Sequence, residues 1–209
     1  MHGGPWDRDS WGFNPLVQLL ANRGYAVLQV NFRSSTGYGK SFMKAGIGEL
    51  AGKMHDDLID GVNWAIQQGY ADPDRVAIVG GSYGGYAALV GVTFTPDVFA
   101  AAVDIFGVCD LANFLRNQPE FVRPALAANW FRWVGDPADP QQEADMLARS
   151  PISRWTTSVH RYSSPKAPTT PGWRRQNPTT WSRLCGHVGS PSSTYSWRTK
   201  GTPSRTRRT

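Results

Sequence analysis

A glycine-rich stretch at residues 80–85, with the sequence GGSYGG, constrains the fold of this chain more than any other feature. It follows an apolar run at residues 75–79 and precedes a stretch of helical character at residues 86–93. Glycine is needed where a strand doubles back into a helix, because a larger side chain would collide there. Glycines flank Ser82 in the pattern G-x-S-x-G, which predicts a tight turn that holds the serine hydroxyl out of a sheet.

The order of the predicted elements indicates an α/β fold with a parallel sheet. Helical patterns and apolar runs alternate along the chain, at residues 15–22, 25–32, 56–68, 75–79, 86–93 and 99–105. Such alternation is typical of a parallel sheet covered by helices on both faces. The run at residues 25–32 is almost continuously apolar, which predicts a strand buried on both of its faces.

Three further local patterns carry expectations. Asp56 or Asp57 can cap the helix that runs to about Gln68. His55 beside them could serve as a base, but a loop histidine near a helix start is more often a surface or capping residue. Residues 111–149 have helical character and many aromatic side chains, for which packing against the core is the expected role.

A break in composition divides the chain after Arg154. Residues 1–154 hold all 16 Asp and Glu residues, whereas residues 155–209 hold 10 Lys and Arg and no acid. The second segment is rich in Ser, Thr and Pro and has very few aliphatic side chains. A segment that polar cannot bury enough apolar area to offset the entropy of ordering it. We therefore expect a domain at residues 1–154 and a disordered basic tail at residues 155–209.

Composition also limits the classes of protein to which the chain can belong. No apolar run is long enough to span a bilayer, and the N-terminus lacks the basic-then-apolar order of a signal peptide. Cys109 and Cys185 form no metal-ligand pattern. These features predict a cytoplasmic protein with no membrane association, no metal ion and no cofactor.

Four segments, taken together, resemble the catalytic domain of the prolyl oligopeptidase family of serine peptidases. Its acylaminoacyl-peptidase and dipeptidyl-peptidase-like members are the most similar. The segments are HGGP at residues 2–5, NFRSSTGYG at residues 31–39, GGSYGG at residues 80–85 and SPI at residues 150–152. The resemblance implies a partial α/β-hydrolase fold and the hydrolysis of peptide bonds in short peptides, through an acyl-enzyme on Ser82.

The same resemblance implies the roles of individual residues. Ser82 would be the nucleophile, the amide of Tyr83 one oxyanion donor, and an amide in the turn at Gly3 and Gly4 the other. The family also supplies an acid and then a histidine further along the chain. Residues 155–209 contain no acid, so the triad acid and base stay unassigned. His187 matches the family's glycine-flanked histidine in local sequence only.

The resemblance further predicts a domain truncated at its N-terminus, because the family carries a strand before the HGGP turn, and a frameshift after Arg154. A peptidase altered in this way would be impaired or inactive. An α/β-hydrolase esterase remains open, since G-x-S-x-G alone does not separate the two activities. A non-catalytic fragment also remains open, in which the arginines at residues 174–175 and 205–208 bind nucleic acid or another polyanion. A basic run is, however, more often a solvated tail. No oligomeric state is predicted.

Overall fold

The computed structural model describes residues 1–154. Helices account for most of the regular structure, and two strands form a sheet within this part of the chain. The elements in chain order are α1 (Pro15–Ala21), α2 (Lys40–Lys44), α3 (Lys53–Gln67), a 3-10 helix (Pro73–Arg75), β1 (Ala77–Gly81), α4 (Tyr83–Phe94), β2 (Ala101–Ile105), α5 (Leu111–Arg116), α6 (Arg123–Ala128), α7 (Trp130–Trp133), α8 (Pro140–Ala148) and a 3-10 helix (Pro151–Arg154).

Strands β1 and β2 pair in parallel, and α4 connects them and packs against both. The register places Ile78 beside Ala102 and Gly80 beside Asp104. Because side chains alternate along a strand, Ile78 and Gly80 share one face, and both are buried. Helix α4 is buried along nearly its whole length, as expected for a helix that is apolar all round. The predicted α/β class, with a parallel sheet and helices, is confirmed.

Residues 25–32 do not form the predicted strand that is buried on both faces. The segment has no strand assignment, and the Tyr25 side chain is 62% exposed. The sheet of residues 1–154 consists of β1 and β2, so no described strand forms a ladder with this segment. Only its end enters the interior, where Phe32 is fully buried in the core.

Helix α3 begins at Lys53, earlier than the sequence pattern predicts. Gly52 precedes it without a side-chain cap, so the predicted capping by Asp56 or Asp57 is wrong. Asp57 instead binds Arg33: Oδ2 accepts from the Arg33 backbone N–H and Nε at 2.8 Å each, and Oδ1 accepts from Nη2 at 2.6 Å. This pair joins α3 to the loop that follows residues 25–32.

Ser150 ties the helices after β2 together. Its side chain is fully buried, and its Oγ accepts from the Leu111 N–H at 3.0 Å and donates to the Met146 carbonyl at 2.7 Å. One residue earlier, the Arg149 carbonyl accepts from the Tyr86 hydroxyl of α4 at 2.9 Å. The start of α5 and the end of α8 are therefore joined to each other at Ser150, and to α4 through its neighbour.

Replacing Ser150 with Ala should destabilise the fold. The substitution removes the acceptor of the Leu111 N–H, and a buried donor left without a partner costs about 1–3 kcal/mol. Ser153→Ala is the matched control, because Ser153 is exposed and its hydroxyl donates to the Ser150 carbonyl. Surface substitutions usually change stability by less than about 0.5 kcal/mol. Urea denaturation checks the prediction, and equal free energies of unfolding for the two variants would contradict it.

Candidate functional site

The Ser82 turn (residues 80–85) places Ser82 between the end of β1 and the start of α4. Ser82 has φ 57° and ψ −118°, a conformation that residues with a side chain rarely adopt. Its N–H donates to the Ile105 carbonyl at 2.8 Å, and its carbonyl accepts from the Tyr86 N–H at 3.0 Å. Ser82 itself is exposed, whereas the residues that follow it in α4 are buried. Its backbone is thus held on both sides while its side chain stays accessible.

Close backbone approaches explain two glycines of this turn. A Cβ atom at Gly80 would lie 2.2 Å from the Gly84 carbonyl oxygen, so a side chain there would separate β1 from α4. A Cβ atom at Gly84 would lie 2.3 Å from the Met1 carbonyl oxygen. Hence the two glycines let the strand, the helix and the first residues of the chain meet at one point.

The His2 turn (residues 2–5) lies directly beside Ser82. A Cβ atom built on Gly3 would stand 3.5 Å from Ser82 Cβ and 4.0 Å from Ser82 Oγ. Gly4 has φ 114°, which glycine adopts without steric cost. The structure therefore brings together Gly3, Gly4, Ser82 and, as the first residue of α4, Tyr83, which are the residues that the sequence predicted for the site.

His2 lies behind this turn and links it to two other segments. Its Nδ1 lies 2.8 Å from the Gly3 carbonyl oxygen, and its Nε2 lies 2.9 Å from Ser35 Oγ. The imidazole stacks on Phe32, with ring centroids 4.4 Å apart and an interplanar angle of 19°. Phe32 in turn contacts the Tyr83 ring at 5.2 Å. A row of three rings thus connects the His2 turn to the start of α4.

The Ser35 loop (residues 33–39) contacts the His2 turn through Ser35 and contains no helix or strand. Ser34 and Ser35 are both fully buried. Ser34 Oγ donates to the Met43 carbonyl at 3.1 Å and accepts from Trp133 Nε1 at 3.3 Å. Sequence reasoning assigned no site role to His2, Phe32 or Ser35. Their places inside the HGGP and NFRSSTGYG segments were the signal that could have found them.

Burial dominates the electrostatics of the groups around Ser82. It raises the pKa of the Tyr83 phenol well above its usual value, because the whole side chain is buried, with Met54 Sδ 3.8 Å from the hydroxyl. Burial likewise raises the pKa of the Asp104 carboxyl, against the opposing effect of the Gly107 N–H that donates to it at 2.7 Å. The Tyr83 phenol therefore stays neutral, and its hydroxyl donates to Met54 Sδ in the interior.

His55 is remote from Ser82 and is not the surface or capping residue that the sequence predicted. His55 belongs to α3 and is buried, and its Nε2 lies 2.9 Å from Thr95 Oγ1. Thr95 follows the end of α4, whereas Ser82 precedes its start, and a helix of 12 residues is about 18 Å long. His55 is therefore placed at the wrong end of α4 to act on Ser82.

The protonation of His55 follows from its partner. The Thr95 hydroxyl donates to the Gly91 carbonyl at 3.0 Å, so it accepts a hydrogen bond from Nε2–H of the ring. Nδ1 is buried and has no hydrogen-bond partner among the described residues. Burial lowers the pKa of His55, and the nearby Asp56 opposes this only in part. His55 is thus a buried, neutral histidine.

Several predictions from the sequence lie outside the described residues. They are the disordered basic tail at residues 155–209, its polyanion binding and the match of His187 to a triad histidine.

Within residues 1–154 there is no group of three or more His, Cys, Asp or Glu side chains that could hold a metal ion. In the same residues no helix has the length and apolar character needed to cross a membrane.

Comparison with known proteins places these features in a family. The model of the prolyl oligopeptidase family matches residues 11–165. The chain is 54% identical over 154 residues to dipeptidyl aminopeptidase BIII of Pseudoxanthomonas mexicana, which covers 74% of this chain and 22% of that protein. It is 45% identical over 153 residues to dipeptidyl peptidase family member 6 of Caenorhabditis elegans, which covers 73% and 20%. The chain thus spans about a fifth of the length of these relatives.

Two solved structures of peptide-hydrolysing or puromycin-hydrolysing enzymes superpose on this chain. A puromycin-hydrolyzing peptidase of Mycobacterium tuberculosis superposes with a TM-score of 0.66 at 34% sequence identity, over 73% of this chain and 22% of that one. A second puromycin hydrolase superposes with a TM-score of 0.65 at 27% identity, over the same shares of the two chains.

Replacing Gly80 with Ala should destabilise the protein. The new methyl group would meet backbone atoms of Gly84 rather than a side chain that can move aside, and overpacking of this kind typically costs about 1–3 kcal/mol. Gly12→Ala is the control, because a Cβ atom there meets nothing within 4 Å. The free energies of unfolding in urea measure the difference, and a Gly80→Ala variant as stable as Gly12→Ala would contradict the close approach of β1 and α4.

The pH dependence of stability should reflect His55. Because its pKa in the folded state lies below the usual 6.5, the unfolded chain binds a proton first as the pH falls, and stability drops below about pH 6.5. In His55→Leu this contribution is absent, while Thr95 keeps its bond to the Gly91 carbonyl. Urea denaturation at about pH 7.5 and about pH 5.5 should show a larger loss in the wild-type chain than in the variant. An equal loss in both would contradict the prediction.

Proposed function

The chain belongs to the prolyl oligopeptidase family of serine peptidases, and we infer that the protein hydrolyses peptide bonds through an acyl-enzyme formed on Ser82. One observation carries this inference: Ser82 is exposed, has a positive φ and lies beside Gly3, where a Cβ atom built on Gly3 would stand 3.5 Å from Ser82 Cβ. Short peptides are the proposed substrates. The relative named a dipeptidyl aminopeptidase, which is 54% identical, supports this choice.

In the proposed reaction, Ser82 Oγ attacks the carbonyl carbon of the substrate and passes its proton to a base. The carbonyl oxygen becomes an oxyanion, for which the Tyr83 N–H and an amide of Gly3 or Gly4 are the proposed donors. The Tyr83 N–H is one of the unpaired donors at the N-terminus of α4, where the helix dipole also favours negative charge. The C–N bond breaks as the amine leaves with a proton, and water then hydrolyses the acyl-enzyme.

The proton of Ser82 requires a base, and neither histidine of residues 1–154 is placed to accept it. Both nitrogens of His2 are engaged by Gly3 and Ser35, and His55 is bound at the far end of α4. Since residues 155–209 also hold no acid that could orient a histidine there, we propose that the 209-residue chain reacts slowly without an added base. Loss of the base removes most of the rate enhancement of such a site, but the oxyanion donors retain part of it.

The esterase alternative differs only in the leaving group. The resemblance at residues 33–39 and 150–152 favours the peptidase, as do the names of the relatives. Comparing the hydrolysis of an acyl-peptide with that of a short-chain ester distinguishes them. The cytoplasmic location stays a prediction.

Ser82 should react with a fluorophosphonate probe in a manner that depends on added imidazole. The serine oxygen displaces fluoride from phosphorus, and free imidazole takes the proton, which neither histidine of residues 1–154 is placed to accept. We expect slow labelling of the 209-residue chain, faster labelling as the imidazole concentration rises, and no labelling of Ser82→Ala. Mass spectrometry of the labelled peptide identifies the site.

Ser153→Ala controls for the loss of an exposed serine hydroxyl elsewhere on the surface, and it should label as the wild type does. Labelling that persists in Ser82→Ala, or that maps to another residue, would show that Ser82 is not the nucleophile.

A further inference from the structure

We propose that His2 is a positioning residue for the oxyanion site, and that Ser35 sets its orientation. In this arrangement the imidazole donates Nδ1–H to the Gly3 carbonyl and accepts at Nε2 from the Ser35 hydroxyl. The Ser35 loop thereby fixes the His2 turn where it faces Ser82. The proposal rests on the function inferred above, because the position of this turn matters to a reaction only if the turn supplies an oxyanion donor.

The hydrogen bonds of His2 determine its tautomer. A carbonyl oxygen can only accept, so the nitrogen 2.8 Å from the Gly3 oxygen must carry the proton. In a neutral imidazole the other nitrogen is then an acceptor, and the Ser35 hydroxyl at 2.9 Å is the donor to it. The opposite tautomer would place a lone pair of Nδ1 against the Gly3 carbonyl and leave that oxygen without its donor.

The ring is enclosed by the residues around it, so it cannot take up another orientation at low cost. His2 is 9% exposed and Ser35 is fully buried. Phe32 stacks flat on the imidazole, and its own carbonyl accepts from the Ser35 N–H at 3.0 Å. Phe32 and Ser35, which enclose the ring, therefore come from one short stretch of chain. Turning the ring would break its hydrogen bonds to the Gly3 carbonyl and to the Ser35 hydroxyl.

Control of one carbonyl is enough to orient the next amide. The peptide unit is planar, so fixing the Gly3 carbonyl also fixes the Gly4 N–H of the same unit. Two successive glycines would otherwise leave this turn with wide conformational freedom. Oxyanion donors act because they are held in place before the reaction, and a displacement of about 1 Å can cost about a hundredfold in rate. A buried imidazole supplies the restraint that glycine side chains cannot.

Two adjacent serines provide a matched test. Ser35→Ala removes the hydroxyl that donates to His2 Nε2, while the chain still carries the His2 imidazole. Ser34→Ala removes an equally buried hydroxyl of the same loop, whose partners are the Met43 carbonyl and Trp133 Nε1 rather than His2. A purely structural effect of losing a loop hydroxyl would affect both variants. An effect through His2 would appear in Ser35→Ala alone.

The readout is imidazole-supported labelling of Ser82 by the fluorophosphonate, measured on folded 209-residue chains as a function of probe concentration. Ser35→Ala should lower the maximal rate by about tenfold, which is less than the roughly hundredfold or greater effect of losing an oxyanion donor. The probe concentration at half-maximal rate should not change, because the probe is still bound before it reacts. Ser34→Ala should stay within about twofold of the wild-type rate. Equal rates in the two variants would overturn the proposal.

A second measurement does not require reactivity. In the chain labelled with ¹⁵N-histidine, nitrogen chemical shifts distinguish a protonated ring nitrogen from an unprotonated one. We expect His2 to carry its proton on Nδ1 and His55 to carry its proton on Nε2, so that His55 serves as an internal reference. His2 with its proton on Nε2 would overturn the proposal. A wild-type Ser82 that fails to react would contradict the proposed function instead, and the tautomer would still decide whether the turn is held by His2.

Discussion

The absence of side chains at Gly80 and Gly84 is the constraint on which the rest of this structure depends. Through these residues β1, α4 and the start of the chain approach within distances that a Cβ atom would not permit. Helix α4 then carries Tyr83 and Tyr86 into the core, and Tyr86 reaches the Arg149 carbonyl next to Ser150. The strained backbone of Ser82 persists because its surroundings fix it from both sides. Packing at the two glycines therefore sets both the fold and the exposure of the serine.

A second set of contacts converts this backbone junction into a shaped site. The rings of His2, Phe32 and Tyr83 lie in a row and join three segments that are far apart in sequence. Ser35 adds a directional contact, because its hydroxyl can satisfy His2 Nε2 only from one side. The apolar rings exclude water from around the polar bonds, which strengthens those bonds and makes an unpaired group there costly. Packing and hydrogen bonding thus act on the same few residues.

The sequence predicted those features that depend on local pattern. The apolar run, the glycines and the helical stretch around Ser82 follow each other directly, so β1 and α4 were predictable although their ends were not. Residues 25–32 show the limit of a pattern, because an apolar run is buried only where other parts of the fold cover it. His55 and Asp57 show a related limit, since their partners Thr95 and Arg33 lie far along the chain. Ser35 was within a recognised segment, but only the structure shows that its hydroxyl contacts His2.

The described residues separate two contributions to the chemistry of a serine peptidase. The proposed backbone donors and the strained serine depend on close packing of a strand, a helix and a turn, and all of these lie within residues 1–154. A base and an orienting acid need side chains that converge from other loops, and here His2 and His55 are both held by other partners. The contributions of such groups are strongly non-additive, so the rate without the base cannot be obtained by subtracting a fixed amount. Because the described residues hold the elements of the first contribution and neither histidine is placed for the second, the proposed reaction of Ser82 would show how much depends on backbone geometry alone.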